Sequence, residues 1–346
     1  MFLRNAWYAA IRSVELRQEM ARVTLLGEDI VLYRRRDGQA VALENACPHR
    51  KLPLSAGTLV EDHIVCGYHG LTFEASGACV AAPTQGRIPP SARVHSYPAA
   101  DRWGMVWLWM GVVELADEAL IVDIPHHDDD SWNLTGGGPM DCACNYLYLT
   151  DNLLDPSHVA WVHKTSFAAS GTQDTPLDIK ATENGVVVTR WIYDQEPPPF
   201  YAPLLRFQGR CDRLQYYEVR YPSIAINRSV FAPAGTGGPD RPQHPDAYVM
   251  ESYHLLTPRD ETHTRYYWIQ NFNTPRSDEE IRPRVAANAA AAFEEDRLIL
   301  EAVQRGMDNK RTKNIDLALD AAAYRFRRGL AKLIEREEEE SLVQPG

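Results

Sequence analysis

Two short runs each place a cysteine and a histidine close together, and the runs lie near each other in the chain. The first is Cys47-Pro48-His49-Arg50 and the second is Cys66-Gly67-Tyr68-His69-Gly70, with sixteen residues between His49 and Cys66. Thiolates and imidazoles are side chains that bind transition metals. Because each run mixes the two ligand types, the spacing predicts one metal site that both loops build together.

The four side chains suit a cluster of two irons and two sulfides, in which two thiolates hold one iron and two imidazoles hold the other. In this interpretation the ligands are Cys47, His49, Cys66 and His69. A zinc site is one alternative, although zinc sites of this composition usually pair cysteine with cysteine and histidine with histidine. Four core residues that bind no metal are the other alternative.

The composition limits the cellular setting and the partners. A chain of 346 residues is long enough for two domains with separate cores. The formal net charge of -11 disfavours a nucleic-acid partner. No stretch approaches the ~20 apolar residues of a membrane span, and the first residues lack the order of a signal peptide, so we expect a cytoplasmic protein. The four cysteines outside the two runs are expected to be reduced, buried thiols.

Turn signals and hydrophobic periodicity divide the chain. Short apolar runs between Val23 and Leu43 alternate with turns such as Asp37-Gly38, which predicts the strands of an all-β domain. We place this domain at residues 1–115 and a second domain at residues 116–346, after an acidic stretch that leads into Gly136-Gly137-Gly138-Pro139. In the second domain we predict helices over 144–162, 286–304 and 321–340, and strands over 185–193, 215–221, 224–231, 248–256 and 264–272.

A second concentration of metal-binding side chains lies between Asp151 and His163, where thirteen residues hold two carboxylates, an amide and two imidazoles. Two imidazoles and one carboxylate on one face of an iron leave the opposite face free, as in non-heme iron(II) oxygenases. His158 and His163 are five residues apart, so a regular helix would aim them about 140° apart. We therefore predict that the helix ends or distorts at His163. The alternative is a buried histidine together with a capping histidine.

The helix over 286–304 offers the third ligand, because it carries Glu294, Glu295 and Asp296. Asp296 shares helical spacing with four apolar residues, which predicts that it faces the core: Phe293, Ile299, Leu300 and Val303. A carboxylate in the core must be paired or bound to a metal. Asp296 is therefore the predicted ligand, whereas Glu294 is expected beside Arg297 in solvent and the position of Glu295 stays open.

The cluster motif, the pattern Asp-Asn-Leu-x-Asp-x-x-His-x-x-x-x-His that begins at Asp151, and Glu295-Asp296-Arg297 together resemble the terminal oxygenase of Rieske non-heme iron enzymes across nearly the whole chain. Arg4-Asn5-Ala6-Trp7-Tyr8 and the length are similar to the vanillate O-demethylase and dicamba monooxygenase branch. The resemblance implies an α+β fold, with an all-β Rieske [2Fe-2S] domain followed by a helix-grip catalytic domain of antiparallel sheet and helices. It also implies a ring-shaped homotrimer in which the cluster of one subunit faces the iron of the next.

Carried over by position, the resemblance assigns the cluster to Cys47, His49, Cys66 and His69, and the mononuclear iron to His158, His163 and Asp296. It makes Asp155 the bridging carboxylate and places Asn152 near the iron. A ligating imidazole usually donates its other N–H to a carboxylate. We therefore expect Asp155 to accept from His158 and from His69 of a neighbouring subunit. The alternative role of Asp155 is to cap the turn that begins at Pro156.

Two strand residues, Asn227 and His254, resemble positions that contact the substrate in dicamba monooxygenase. Alternation along the strand is expected to aim Asn227 and Arg228 to opposite faces. The alternative is a locally bonded asparagine and a histidine at the rim of the sheet. Small side chains around Ala287 stand where that enzyme has an aromatic wall residue, which predicts a pocket of different shape.

The leading functional interpretation is the oxygenase component of a multicomponent monooxygenase that uses O2 to hydroxylate a methyl group of a methoxylated or related aromatic compound, and so demethylates it. The sequence contains neither a Gly-x-Gly-x-x-Gly fingerprint nor a plant-type ferredoxin cysteine run, so a separate NAD(P)H-dependent reductase or ferredoxin is expected. The alternatives are a ring-hydroxylating dioxygenase that forms cis-diols or cleaves diaryl ethers and, from a different class, an electron-transfer Rieske protein. About three irons per chain would indicate an oxygenase, and about two a carrier.

Overall fold

The computed structural model describes residues 1–83, 85–164, 167 and 175–343, with side chains up to residue 340. The chain forms two compact units. The first comprises Met1–Val122 and Thr257–Glu261, and the second comprises Asp123–Leu256 and Thr262–Gly346. No helix in the described ranges combines the length and the apolar character that crossing a bilayer requires.

The first unit is built from short antiparallel strands in three small sheets. Its strands are β1 (Trp7–Arg12), β2 (Ala21–Leu25), β3 (Glu28–Arg34), β4 (Ala40–Glu44), β5 (Thr58–Val60), β6 (His63–Val65), β7 (Thr72–Phe73), β8 (Cys79–Ala81), β9 (Ser96–Tyr97), β10 (Ala99–Arg102) and β11 (Met105–Trp109). The sheet orders are β1-β11-β10, β2-β3-β4-β9 and β5-β6-β7-β8. This arrangement confirms the predicted all-β domain.

The central residues of strand β3 are apolar without alternation, because both faces of this strand are buried. Ile30 and Leu32 point into a hydrophobic cluster that also contains Tyr8 and Val106. Val31 and Tyr33 point the other way, into the cluster that contains the two cysteines of the sequence motif. A strand that is covered on both faces buries every residue, and these four are 0% exposed. The cysteine motif therefore belongs to one of the two cores of this unit.

A glycine in the turn between β7 and β8 tests how tightly the cysteine-containing core is packed. Gly77 has φ +80°, and a Cβ there would lie 2.1 Å from the carbonyl oxygen of Val94. Gly38 has φ +88° with no atom near its would-be Cβ. We expect Gly38→Ala to cost about 1 kcal/mol through backbone strain alone, and Gly77→Ala about 3 kcal/mol or more, since strain and overlap add.

Denaturant unfolding of the two variants, followed by absorbance of the metal-loaded protein, measures that difference. Equal destabilisation by both substitutions would show that the backbone of Val94 can move away, and that this core is looser than the structure indicates.

The second unit is one antiparallel sheet with helices packed on it. Its strands are β12 (Asn133–Cys142), β13 (Asp178–Thr182), β14 (Gly185–Gln195), β15 (Cys211–Arg220), β16 (Ile224–Pro233), β17 (Tyr248–Pro258) and β18 (Thr264–Phe272), and its helices are α1 (Tyr146–Leu154), α2 (Val159–Val162), α3 (Ile281–Gly306) and α4 (Ala321–Val343). The sheet order is β12-β18-β17-β16-β15-β14-β13. The predicted sheet-and-helix domain is confirmed. Four of the five predicted strands lie within observed ones, the prediction for 215–221 runs one residue past the end of β15, and β13 was not predicted.

Strand β12 was not predicted, because its glycines indicated a connection between elements. In the structure Gly136 and Gly137 pair with Ile269 and Trp268 of β18. A Cβ on Gly137 would lie 1.8 Å from the indole of Trp268. The glycine is therefore needed because the indole packs directly on the strand, a tertiary contact that local sequence does not reveal.

Candidate metal centres and substrate cavity

The two loops that carry the cysteine–histidine runs have the same pattern of backbone hydrogen bonds. In the first, the amide of Cys47 donates to the carbonyl of Leu52 at 2.9 Å, and in the second the amide of Cys66 donates to the carbonyl of Leu71 at 2.8 Å. Each cysteine carbonyl also accepts from the amide four residues later. Those fourth residues, Lys51 and Gly70, both have positive φ, at 58° and 73°. Equivalent loops present equivalent ligands, which suits a cluster with two ligands from each.

The side chains of the two loops form a layered site. Both thiols are buried, with Cys47 and Cys66 each 2% exposed. Burial raises the pKa of the Cys47 thiol, so this thiol keeps its proton unless a metal displaces it. The rings of His49 and His69 lie 4.5 Å apart between centroids, nearer the surface. Two inner thiols and two outer imidazoles fit a [2Fe-2S] cluster with one iron deeper than the other.

The single helix predicted over 144–162 is wrong, because the structure has two helices with a break between them. Helix α1 ends at Leu154, Asp155 has extended dihedral angles, and α2 starts only at Val159. His163 lies just after the end of α2, with φ -100° and ψ 43°. The predicted helix end at His163 is therefore confirmed. Because His158 precedes this short helix and His163 follows it, both rings turn toward the same point.

Asp296 on α3 completes a group of three ligand atoms. The Nε2 atom of His163 is 3.2 Å from Asp296 Oδ1, and that of His158 is 3.6 Å from the same oxygen. One ligand atom from each residue lies within 4.8 Å of the others. Asp296 is 6% exposed, and its buried Oδ1 has no hydrogen-bond partner among the described residues. A buried carboxylate oxygen in this state is suited to a cation.

The Nδ1 atom of each imidazole already makes a hydrogen bond, and this bond determines whether Nε2 carries a proton or a lone pair. His163 Nδ1 is 2.7 Å from Glu295 Oε2, and His158 Nδ1 hydrogen-bonds the backbone oxygen of Asp155. Because a carboxylate and a carbonyl only accept, both rings carry their proton on Nδ1 and turn the Nε2 lone pair toward Asp296. Two lone pairs and a carboxylate that converge repel one another unless a cation lies between them. The residues therefore fit a mononuclear iron.

The electrostatic surroundings of His163 also favour a cation at this site. Burial lowers the pKa of this imidazole, but the carboxylates of Asp296 and Glu295 raise it by more, so the pKa lies above its ordinary value. The site therefore attracts a positive charge, which a proton supplies in the absence of a metal.

Sequence reasoning left Glu295 open, and the structure makes it the residue that orients His163. We expect Glu295→Gln to weaken iron binding about 10- to 100-fold, because the lost charge reduces the basicity of the ligating ring. Iron content after dialysis against graded chelator concentrations measures this. The matched control is Glu294→Gln, since Glu294 pairs with Arg297 at 2.5 Å on the exposed side of the helix. Equal iron retention by both variants would remove the orienting role of Glu295.

The carboxylate of Asp155 does not reach His158 in the described chain, contrary to expectation. Its Oδ1 accepts from the backbone amide of Ser157 at 2.8 Å and from the Ser157 hydroxyl at 2.5 Å. The histidine is instead held by the backbone oxygen of Asp155. The side chain therefore caps the turn from Pro156 to His158, as the alternative interpretation proposed, and the same residue orients a ligand through its main chain.

Two polar residues of α1 are not among the three residues of the ligand group. Asp151 pairs with Arg327 of α4 at 2.5 Å, which gives this carboxylate a role between helices. Asn152 is half-buried on α1, and it is not among the residues that line the cavity next to the ligands.

A cavity of about 760 Å³, measured with its open mouth, lies beside the three ligands. Its apolar wall includes Leu153, Phe167, Phe231, Met250 and Phe293, and its polar wall includes Arg213, Gln215, Asn227, Ser252 and His254. Arg213 is 4% exposed, and burial lowers the pKa of its guanidinium. A guanidinium remains charged even so, and the cavity therefore contains a positive group within a largely apolar enclosure.

The structure brings both predicted pocket residues to this cavity. Asn227 and His254 line it, whereas Arg228 lines a separate cavity on the other face of the sheet, as strand alternation predicts. Asn227 Oδ1 and His254 Nε2 are buried without a hydrogen-bond partner in the described chain. Burial lowers the pKa of His254 to about 3, so this imidazole is neutral.

The predictions for α3 need two corrections. Ile299 and Val303 are 43% and 40% exposed, so they are not on the buried stripe with Asp296. The stripe follows Ala289, Ala292, Phe293, Asp296 and Leu300, because only this narrower face packs against the rest of the unit. Ala287 is exposed, so the helix contributes Ala292 and Phe293 to the cavity wall and not the residues around Ala287.

Comparison with known proteins places both units in described families. The Rieske [2Fe-2S] domain family matches residues 6–98, and the vanillate O-demethylase oxygenase C-terminal domain family matches residues 142–336. The iron-sulfur subunit of the toluene-4-sulfonate monooxygenase system of Comamonas testosteroni is 35% identical over 97% of this chain and 98% of its own. The vanillate O-demethylase oxygenase subunit of a Pseudomonas species (strain HR199) is 31% identical over 98% and 97%.

A solved structure agrees with the sequence relatives. Dicamba monooxygenase bound to 3,6-dichlorosalicylic acid superposes with a TM-score of 0.88 at 31% identity, over 98% of this chain and 99% of that one. Matches of this length include both metal-binding regions. The chain is therefore an oxidoreductase with a Rieske [2Fe-2S] cluster and a non-heme iron, and it belongs to the Rieske oxygenases of the vanillate O-demethylase type.

Proposed function

We propose that this protein is the terminal oxygenase of a multicomponent monooxygenase that hydroxylates a methyl group of a methoxylated or related aromatic compound. The observation that carries the proposal is the His158, His163 and Asp296 group on the wall of a mainly apolar cavity. Aromatic and aliphatic side chains line this cavity, as they do in pockets that bind aromatic ligands.

The proposal assigns two metal sites to named residues. Cys47, His49, Cys66 and His69 would hold the cluster in the N-terminal domain at residues 1–115, and the triad would hold iron in the catalytic domain at residues 116–346. When bound, the cluster supplies electrons and the iron supplies O2 activation. The apolar side chains beside the triad would limit the access of water to the reacting methyl group.

The remaining chemistry follows from the substrate. One oxygen atom of O2 enters the methyl group, and two electrons and two protons reduce the other oxygen to water. A hydroxylated O-methyl group then breaks down to formaldehyde and a phenol. Asn227 and His254 would hold the polar end of the substrate, Asp155 would link the redox centres, and Asn152 would assist near the iron.

Hydroxylation of a methyl group on the ring is a second candidate. The toluene-4-sulfonate monooxygenase relative at 35% identity favours it, as does the buried guanidinium of Arg213, which fits a sulfonate or carboxylate. This reaction gives a benzylic alcohol and no formaldehyde. Ring dihydroxylation and diaryl-ether cleavage gain no specific support, and an electron carrier would have no use for the triad.

Two kinds of partner are proposed: a protein that delivers electrons, and further copies of this chain. A separate NAD(P)H-dependent reductase or ferredoxin would deliver electrons. We further propose a cytoplasmic location and a homotrimer. Trp161 on α2 and Leu298 and Ile299 on α3 are 68%, 56% and 43% exposed, which supports an interface with another subunit. Light scattering should then give three times 39.1 kDa.

Reconstitution with a generic reductase and NADH tests the function. The protein should contain about three irons per chain and release formaldehyde from at least one methoxylated aromatic acid in a panel. Benzylic alcohols from methyl-substituted arylsulfonates would move the assignment to the second candidate. Two irons and no product from any compound would contradict both.

A further inference from the structure

Two buried side chains on neighbouring strands form a polar pair beside the cavity. His254 on β17 is 1% exposed and Tyr266 on β18 is 2% exposed. The Nδ1 atom of His254 lies 2.5 Å from the Tyr266 hydroxyl oxygen. The other ring nitrogen, Nε2, has no hydrogen-bond partner in the described chain, and His254 lines the cavity. One ring nitrogen therefore faces the phenol, and the other is buried without a partner on a residue of the cavity wall.

The pair shares two protons, and their placement can be deduced. Burial keeps the imidazole neutral, and burial also raises the pKa of Tyr266 well above its ordinary value, so the phenol keeps its proton. If the phenol donates to Nδ1, the imidazole proton sits on Nε2. If Nδ1 donates instead, the phenol proton has no acceptor among the described residues. Each arrangement leaves one donor unpaired in the described chain, Nε2–H in the first and the phenol O–H in the second. His254 lines the cavity and Tyr266 does not, so only Nε2–H can be satisfied by a ligand oxygen, and the first arrangement is favoured.

We propose that Tyr266 is a positioning residue that fixes His254 as the Nε2–H tautomer, so that the cavity presents an N–H donor to an acceptor oxygen on the substrate, such as a carboxylate or sulfonate oxygen. The recognition of a substrate rests on the proposed function, whereas the tautomer does not. A locked donor discriminates strongly, because a substrate without the acceptor leaves this buried N–H unpaired.

Packing makes the hydroxyl separable from the ring. Phe293 of α3 lies edge-on to His254, with ring centroids 5.2 Å apart, and 5.7 Å from the ring of Tyr266. Tyr266→Phe therefore keeps both rings in place and removes only the donor. The matched control is Tyr253→Phe, since Tyr253 is the preceding residue on β17 and its hydroxyl donates to Glu251 at 3.4 Å.

The direct test is nitrogen-15 NMR of histidine-labelled full-length protein, with zinc in the mononuclear site and the cluster oxidised. The His254 signals are assigned by their loss in His254→Gln. We expect the proton on Nε2 in the natural protein and in Tyr253→Phe, and a substantial population with the proton on Nδ1 in Tyr266→Phe. A proton on Nδ1 in the natural protein, or an unchanged Nε2–H signal in Tyr266→Phe, would overturn the proposal.

Kinetics then test the consequence for recognition. With any acid that releases formaldehyde or gives a benzylic alcohol, Tyr266→Phe should raise KM about tenfold with a smaller change in kcat, the scale of one lost hydrogen bond to a charged group. Tyr253→Phe should change neither. An unchanged KM in Tyr266→Phe would contradict the recognition step. If no compound turns over, the proposed function fails while the NMR result still decides the tautomer.

Discussion

Asp296→Ala is expected to lower the iron content from about three to about two per chain and to abolish turnover, while the cluster spectrum stays intact. The reason is geometric. Asp296 Oδ1 is the atom that both imidazole nitrogens face, at 3.2 and 3.6 Å, and its removal leaves a two-ligand site. Iron analysis together with cluster absorbance measures both parts of this prediction.

Protein stability provides the check that the loss is local. Replacement of Asp296 removes a buried carboxylate and also its attraction to His163, two effects of opposite sign, so unfolding of the metal-free protein is expected to stay nearly unchanged. A variant that keeps three irons, or one that loses the cluster as well, would contradict the assignment of this residue to the mononuclear site.

The second large effect is expected from Asp155→Asn, which should lower turnover by about 100-fold or more while both metals remain bound. Asparagine can still accept from the amide of Ser157, and the backbone oxygen that holds His158 is unchanged. The substitution therefore removes the negative charge and little else. A large loss would assign the charge itself to the coupling of the two redox centres.

Asp151→Asn is the matched control for this experiment. It lies four residues earlier and loses a charge of the same kind, but its carboxylate pairs with Arg327 between α1 and α4. It should reduce stability slightly and leave turnover nearly unchanged. If both variants behave alike, the effect of Asp155 is structural. If Asp155→Asn turns over normally, the bridging role is wrong.

Much of the fold was predictable because local pattern and tertiary structure agree. The strands of the second unit alternate or bury both faces over long runs, and the cysteine–histidine runs mix two ligand types at a spacing that suits one shared cluster. Strand β12 was missed because Gly137 is required by its contact with the indole of Trp268, a residue that is distant in sequence. The helical stripe around Asp296 was drawn too wide, since periodicity alone does not tell how much of a helix is covered.

The sequence predicted which residues would form the site, but it did not predict which of their atoms would make each hydrogen bond. The histidine spacing required a helix break, and the structure has one. No pattern could tell that the backbone of Asp155, rather than its carboxylate, holds His158, because this depends on a turn of three residues. Glu295 and Tyr266 were not identified, because each acts on a histidine that is distant in sequence, at 2.7 and 2.5 Å.

The most direct test of methyl hydroxylation uses aromatic acids with a trideuterated methoxy group. The reconstituted enzyme is expected to give a phenol without deuterium and formaldehyde with two deuteriums, because the reaction removes the methyl carbon after exchanging one C–D bond for C–O. A product that keeps all three deuteriums and gains two ring hydroxyl groups would show that the protein attacks the ring, and would contradict the proposed function.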